Sequence, residues 1–158
     1  MAKAIVVYYS RTGNTKQMAE IIATSMNDAG MSTTCKSVED VEAADLLDYD
    51  AVVVGSPTYY GHMAAAIKQL FDDSVANHGR LEGKVGGAFS SSANIGGGNE
   101  TTIMGIIEAM LIAGMIVAGD PQGDHYGPVS IGTPDERARQ QCRRKGVRIA
   151  ELTRKLYA

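Results

Sequence analysis

Apolar and polar positions fall into two alternating textures along the chain. Residues 2–9, AKAIVVYY, form an unbroken apolar and β-branched run, as expected of a strand buried on both faces of a parallel sheet. From Thr15 the period lengthens: Met18, Ile22, Met26 and Ala29 recur at helical spacing, and Gly30 stops the helix. A short strand is predicted near STTCK, followed by the acidic connection VEDVEAADLLDYD. AVVVG from Ala51 is a second buried strand, and MAAAIKQLFDD a helix with Met63, Ile67, Leu70 and Phe71 inward. KVGGAFSSS reads as another strand, and residues 99–113 as a helix apolar over most of its circumference. MIVAG from Met115 is the last clear strand. A Gly- and Pro-marked loop covers residues 120–133, with room for a strand extension at PVSIG. The closing helix is predicted to start at a T-x-x-E capping box, Thr133 to Glu136, with Pro134 at N1. Its inward positions are Ala138, Cys142, Gly146, Ile149 and Leu156. The alternation of strands and helices predicts an open α/β sandwich with right-handed crossovers. Ligands in such sheets bind beyond the carboxyl ends of the strands.

Composition narrows the picture. With 158 residues, 44% hydrophobic and 21% charged, the chain suits one core and one domain over residues 1–158. No stretch approaches the roughly 20 apolar residues of a membrane span, and MAKAIVVYYS lacks a cleavable leader pattern, so no membrane association and a cytoplasmic location are expected. Cys35 and Cys142 stand alone, with neither disulfide nor metal spacing. A net charge of −3 gives no reason to expect nucleic acid. The charge is uneven: residues 1–125 hold 7 Lys/Arg and 15 Asp/Glu, net −8, and residues 126–158 hold 8 and 3, net +5. A solvated basic helix face is the favoured reading of that end.

Three loops at the predicted carboxyl ends carry the candidate chemistry: SRTGNT (Ser10–Thr15), GSPTYYGH (Gly55–His62) and SSSANIGGGNE (Ser90–Glu100). The first is a strand-to-helix turn, which points free amides at the positive end of a helix dipole and so suits phosphate. Together the loops supply hydroxyls, glycines and two aromatics, as a nucleotide with a flat ring requires. Other phosphate motifs fail on residue type. The G-x-x-x-x-G-K-[ST] loop and G-x-G-x-x-G are both absent, and VVVGSP stands where a receiver domain would place its Asp. CRRKGVR matches the C-x5-R spacing of cysteine phosphatases, but Cys142 follows PDERARQQ inside an amphipathic helix, where core packing is the better reading.

SRTGNT resembles the FMN-phosphate loop of flavodoxin-like proteins. GSPTYYGHM and FSSSANIGGGNETTI resemble the two ring-contacting loops of the tryptophan-repressor-binding-protein-type NAD(P)H:quinone oxidoreductases, and the likeness extends to HYGPVSIG. The resemblance implies a flavodoxin-like three-layer sandwich, with a five-stranded parallel sheet of order 2-1-3-4-5 and helices on both faces. It also implies FMN as cofactor. Ser10, Thr12, Asn14 and Thr15 would donate to the phosphate, Gly13 would permit the turn and Arg11 would screen charge. Pro57, Thr58 and Gly61 would shape the second loop, with Tyr59 and Tyr60 flanking or stacking on the ring. Ser91, Ser92, Ala93, Asn94, Ile95, Gly96 and Gly97 would offer amides to its pyrimidine edge. His125 and Tyr126 would lie near the flavin.

Two functions follow from the resemblance. One is an electron carrier working between redox proteins such as a ferredoxin or a flavoprotein reductase. The other is an enzyme that reduces quinones or related acceptors with NAD(P)H. Short length, the absence of Trp and Ala113 in the place of a family His favour the carrier; the small, glycine-rich third loop favours the enzyme. The carrier is preferred, and no catalytic acid, base, nucleophile or metal ligand is expected. The apolar excess of the 99–113 helix predicts a homo-oligomer.

Overall fold

The computed structural model describes residues 1–157. Strand β1 (Lys3–Tyr8) leads into α1 (Asn14–Asp28), β2 (Ser32–Ser37), β3 (Ala51–Pro57), α2 (Ala65–Asp73), β4 (Val85–Ser92), α3 (Asn99–Ile112), β5 (Ile116–Val117), β6 (Val129–Ile131) and α4 (Glu136–Tyr157). The acidic connection after β2 holds two short 3-10 turns, Val38–Asp40 and Ala43–Asp48. All strand pairs are parallel, in the order β2-β1-β3-β4-β5, which is the expected order.

Alternate side chains on each strand explain the unbroken apolar runs, because successive residues face opposite sides and both sides are covered. Ile5, Val7, Val52 and Val54 meet Ile103, Ile106 and Met110 of α3 on one face. Ala4, Val6, Ala51 and Val53 meet Met18, Ile22 and Met26 of α1 and Cys142 and Ile149 of α4 on the other. Helices α1 and α4 approach closely where Gly146 lies: a Cβ there would sit 2.6 Å from the Ile22 carbonyl oxygen. Burial pushes the Cys142 thiol up to about 12, so the residue is an inert part of this core.

The sheet's last position is shared by two fragments. β5 pairs with Val85 and Gly86, and β6 pairs with Ser90 to Ser92, leaving Gly87, Ala88 and Phe89 opposite the intervening loop 118–128. Gly127 fills that break at close quarters, since a Cβ on it would lie 2.0 Å from the Ala88 carbonyl oxygen. MIVAG is therefore a strand for only two residues, and PVSIG completes the line. The start of α4 also differs from expectation. Asp135, not Thr133, caps it, accepting a hydrogen bond from the Ala138 amide at 2.8 Å. Leu156 is 47% exposed near the helix end, outside the apolar stripe.

Helix α3 resolves its apolar excess unevenly. Ile103, Ile106, Ile107 and Met110 are buried, whereas Leu111 and Ile112 stand exposed at its carboxyl end. Among the described residues no helix is long and apolar enough to cross a membrane.

Candidate functional site

The loops following β1, β3 and β4 open on the same end of the sheet and are bonded to one another. Tyr8 is the last residue of β1, and six residues later α1 begins. Gly13 makes that reversal with φ +95°, a conformation that L side chains rarely adopt. The first α1 hydrogen bond is Gln17 N–H to the Gly13 carbonyl, so the amides of Asn14, Thr15 and Lys16 have no intrahelical acceptor. Ser10 Oγ accepts from the Gly13 amide at 3.1 Å and holds the loop curled over those donors. Residues 10–16 contain no carboxylate, and Arg11 and Thr12 are exposed beside the helix terminus. This donor set fits a phosphate monoester: free amides, a helix dipole and hydroxyls, with no opposing charge.

Thr15 is 1% exposed, and its hydroxyl lies 2.8 Å from that of Ser91 at the end of β4. The second loop joins the same network. The Thr58 amide donates to the Ser91 carbonyl at 2.8 Å, and Thr58 Oγ1 lies 3.1 Å from both Ser90 Oγ and Thr102 Oγ1. Pro57 is half-buried at the end of β3. Buried hydroxyls need partners, and here they find one another, which locks the three loops into one frame.

Tyr59 and His62 exchange both backbone hydrogen bonds around a two-residue turn. Tyr60 (φ 50°) and Gly61 (φ 78°) occupy its centre, and positive φ at both positions is the I′ arrangement that favours Asn-Gly. A tyrosine at the first position is strained, and its ring stands wholly in solvent. The turn is held from behind by α3. Thr101 Oγ1 donates to the Gly61 carbonyl at 2.6 Å, and a Cβ on Gly98 would come within 2.8 Å of Gly61 Cα. Tyr59 sets its ring edge-on to Tyr9, with centroids 6.1 Å apart. Burial and the neighbouring Tyr9 raise the Tyr59 pKa, partly offset by the positive charge of Arg11.

In the third loop Ser91 and Ser92 are buried, and Ser92 Oγ donates to the Asn94 carbonyl at 3.0 Å. Ala93, Asn94, Ile95, Gly96 and Gly97 are exposed, with Ile95 at 90%. Beyond them a cleft of about 640 Å³ runs toward α4, lined by Ile95, Asn99, Ser130, Ile131 and Arg137 among others.

The predicted residues of the first two loops and Ser91 are thus brought together. His125 and Tyr126 lie on the loop between β5 and β6, where His125 Nδ1 is 2.8 Å from the Asp120 carbonyl and Tyr126 is 48% exposed. The sequence placed Ser90 at the start of the third loop without an individual role and gave none to Thr101 or Thr102. The signal for Ser90 was the run of three serines ending a strand that is otherwise apolar or glycine, where each hydroxyl must be satisfied. Thr101 and Thr102 each bond the nearby Gly98 carbonyl, an ordinary first-turn contact, and the partners through which they tie the loops together lie 40 and 44 positions away, out of reach of any local signal.

Comparison with known proteins shows the family and the fold. The flavodoxin domain family matches residues 5–94. A flavodoxin of Aquifex aeolicus is 40% identical over 160 positions, covering 96% of this chain and 86% of its own. An NAD(P)H dehydrogenase (quinone) of Archaeoglobus fulgidus is 32% identical over 190 positions, covering 99% of this chain and all of its own. Among solved structures, a flavodoxin from the domain Archaea superposes with a TM-score of 0.81 at 33% identity, covering 96% of this chain and 99% of the other.

Proposed function

We propose that this chain, which belongs to the flavodoxin family, binds FMN in the three-loop frame and works as an electron carrier between redox proteins. The observation that carries the cofactor assignment is the α1 terminus. Three unbonded amides and the surrounding hydroxyls suit one terminal phosphate, and no second nucleotide motif follows for the adenylate of FAD. When bound, the flavin supplies one- or two-electron redox chemistry.

The protein's own contribution is binding, orientation and charge stabilisation. The amides of Asn14, Thr15 and Lys16, with the Ser10 and Thr12 hydroxyls, would hold the phosphate. Thr15 also fixes the distance from this loop to the third through its bond to Ser91. Tyr59 and Tyr60 would flank the ring, the second from a turn whose strain is sustained by Thr101 and Gly98. Backbone amides of residues 91–97 would face the ring edge where negative charge builds on reduction, and preorganised dipoles stabilise such charge at little reorganisation cost. We assign residues 1–158 to one domain, and its redox partners to proteins such as a ferredoxin or a flavoprotein reductase. A cytoplasmic location and self-association through the exposed Leu111 and Ile112 belong to the same reading.

The absence of Trp and the presence of Ala113 in the place of a family His support the carrier. One observation favours the second reading, NAD(P)H-dependent reduction of quinones. The third loop is small and exposed, and the cleft beside it offers space for a nicotinamide or a quinone. Anaerobic mixing of the flavin-loaded protein with NADPH or NADH separates the two. A carrier keeps its flavin absorbance for minutes and bleaches rapidly only when a reducing protein partner is added. Full bleaching by stoichiometric NADPH, followed by turnover with benzoquinone, would establish the enzyme instead. Release of FAD on denaturation would refute the cofactor assignment.

A further inference from the structure

Midway along α4, Lys145 is only 7% exposed, yet its ammonium group makes no hydrogen bond or ion pair among the described residues. Its stem lies over Gly87, where a Cβ would come within 3.1 Å of Lys145 Cε and 3.0 Å of Ile149 Cδ1. The glycine therefore makes room for the lysine stem against β4, at a residue that pairs with neither β5 nor β6. Burial first, and the neighbouring Arg148 second, lower the Lys145 pKa to about 8 against the opposing charge of Asp120.

Asp120 is the acid that could neutralise this lysine, and it is already committed. Arg144 holds both its carboxylate oxygens, at 2.6 and 2.8 Å, Arg148 pairs with it at 3.3 Å, and the Gln122 amide donates to it at 2.9 Å. Lys145 instead opens on a small pocket of about 160 Å³, whose other lining residues include Ala118, Arg148, Glu151 and Lys155. Three cations, Lys145, Arg148 and Lys155, and one carboxylate, Glu151, thus border a cavity onto which the largely covered Lys145 opens with no protein partner for its ammonium group. A largely desolvated cation that no protein group pairs is stabilised by an anion at that opening.

We propose that this pocket binds a small oxyanion, a phosphate or a carboxylate, on the Lys145 ammonium, with Arg148 and Lys155 closing around it. The volume equals about five waters at roughly 30 Å³ each, enough for a small ion and well below the ~300 Å³ at which nucleotide-sized ligands begin. None of its residues belongs to the loops after β1, β3 or β4, so the site is separate from the flavin frame.

The test is residue-resolved NMR on the ¹⁵N-labelled full chain. It is titrated separately with inorganic phosphate and with acetate, each against sodium chloride at matched ionic strength. Saturable shifts of the Gly87, Ala118 and Lys145 amides are expected, and the anion that saturates at lower concentration identifies the class. Phosphate binding at the α1 terminus is read separately at the amides of residues 13–16. Lys145→Met should weaken binding by about tenfold or more, through loss of a charge-assisted hydrogen bond. Lys155→Met, at an exposed position, should weaken it less and retain the fold. Shifts at residues 87, 118 and 145 that follow ionic strength alone would mean that water solvates the lysine, and would overturn the proposal. So would saturation undiminished in Lys145→Met. If that variant fails to fold, the wild-type titration and Lys155→Met decide.

Discussion

The centre of the sheet and its β5–β6 edge are built on opposite principles. β1, β3 and β4 are continuous and buried, and their rungs run unbroken from Ala51↔Val85 to Pro57↔Ser91. The edge is two strands of two and three residues separated by an 11-residue loop, and polar groups hold it. Asp120 ties the loop to Arg144 and Arg148 of α4, Asp124 ties it to Arg137, and Arg148 donates to the Gly119 carbonyl. Apolar burial at the centre has no charge to titrate or to screen, whereas ion pairs at the rim respond to pH and to ionic strength. The candidate flavin frame grows from the stable half. Thr15, Thr58, Ser90 and Ser91 sit where the central strands end, so the site inherits their order.

The largest expected effect would break the centre. Phe89 is fully buried with its ring over Gly55, where a Cβ would lie 2.0 Å from the ring's Cζ. Phe89→Ala should leave a cavity beneath β3 and cost about 3–5 kcal/mol in urea unfolding. A loss below 1 kcal/mol would show that this packing is dispensable.

Next comes the frame itself. Replacing Thr12 and Thr15 together by Ala should weaken FMN binding by about 1–3 kcal/mol, measured by fluorescence quenching, while global stability changes less. Unchanged affinity would remove the first loop from the site.

At the edge, Asp120→Asn should cost about 1–2 kcal/mol, and high salt should shrink the difference from wild type. The Asp120 pKa is lowered to about 2, first by its hydrogen bond to Arg144. A carboxylate whose folded pKa lies below its ordinary value of 3.8 stabilises the fold above that value, and the contribution is lost as pH falls through about 2. Wild type and Asp120→Asn should therefore converge in stability between pH 4 and pH 2. Parallel pH profiles would contradict the pairing.

The smallest effect sharpens the comparison, because it concerns strain placed on the ordered half. Tyr60→Asn relieves an unfavourable φ in the I′ turn and should stabilise the apoprotein by about 0.5–1 kcal/mol in thermal unfolding, while weakening flavin binding. If stability falls instead, the tyrosine is held by packing and not by strain.

Much of this arrangement was legible in the residue pattern. The runs AKAIVVYY and AVVVG, the helical spacing from Met18 to Met26 and the loop SRTGNT are local signals, and each produced the element expected. Other features carry no local signal. A glycine in GGAFSSS looks the same whether it accommodates a methionine or a lysine. Only the fold places Met110 against Gly86 and Lys145 against Gly87. An acidic residue in a Gly/Pro loop does not announce that two arginines of a later helix converge on it.

Periodicity and turn chemistry act over a few residues, so the chain by itself determined which segments are strands or helices and which loops carry hydroxyls and glycines. Everything that depends on partners distant in sequence was decided by tertiary structure. Thr15 bonds Ser91 across 76 positions, Asp120 binds Arg144 across 24, and the Phe89 ring lies over Gly55. Such contacts exist only once strand order and register bring the segments together. The β5–β6 break is of the same kind, because it is where Gly127, from a loop after MIVAG, comes close to the Ala88 carbonyl of β4.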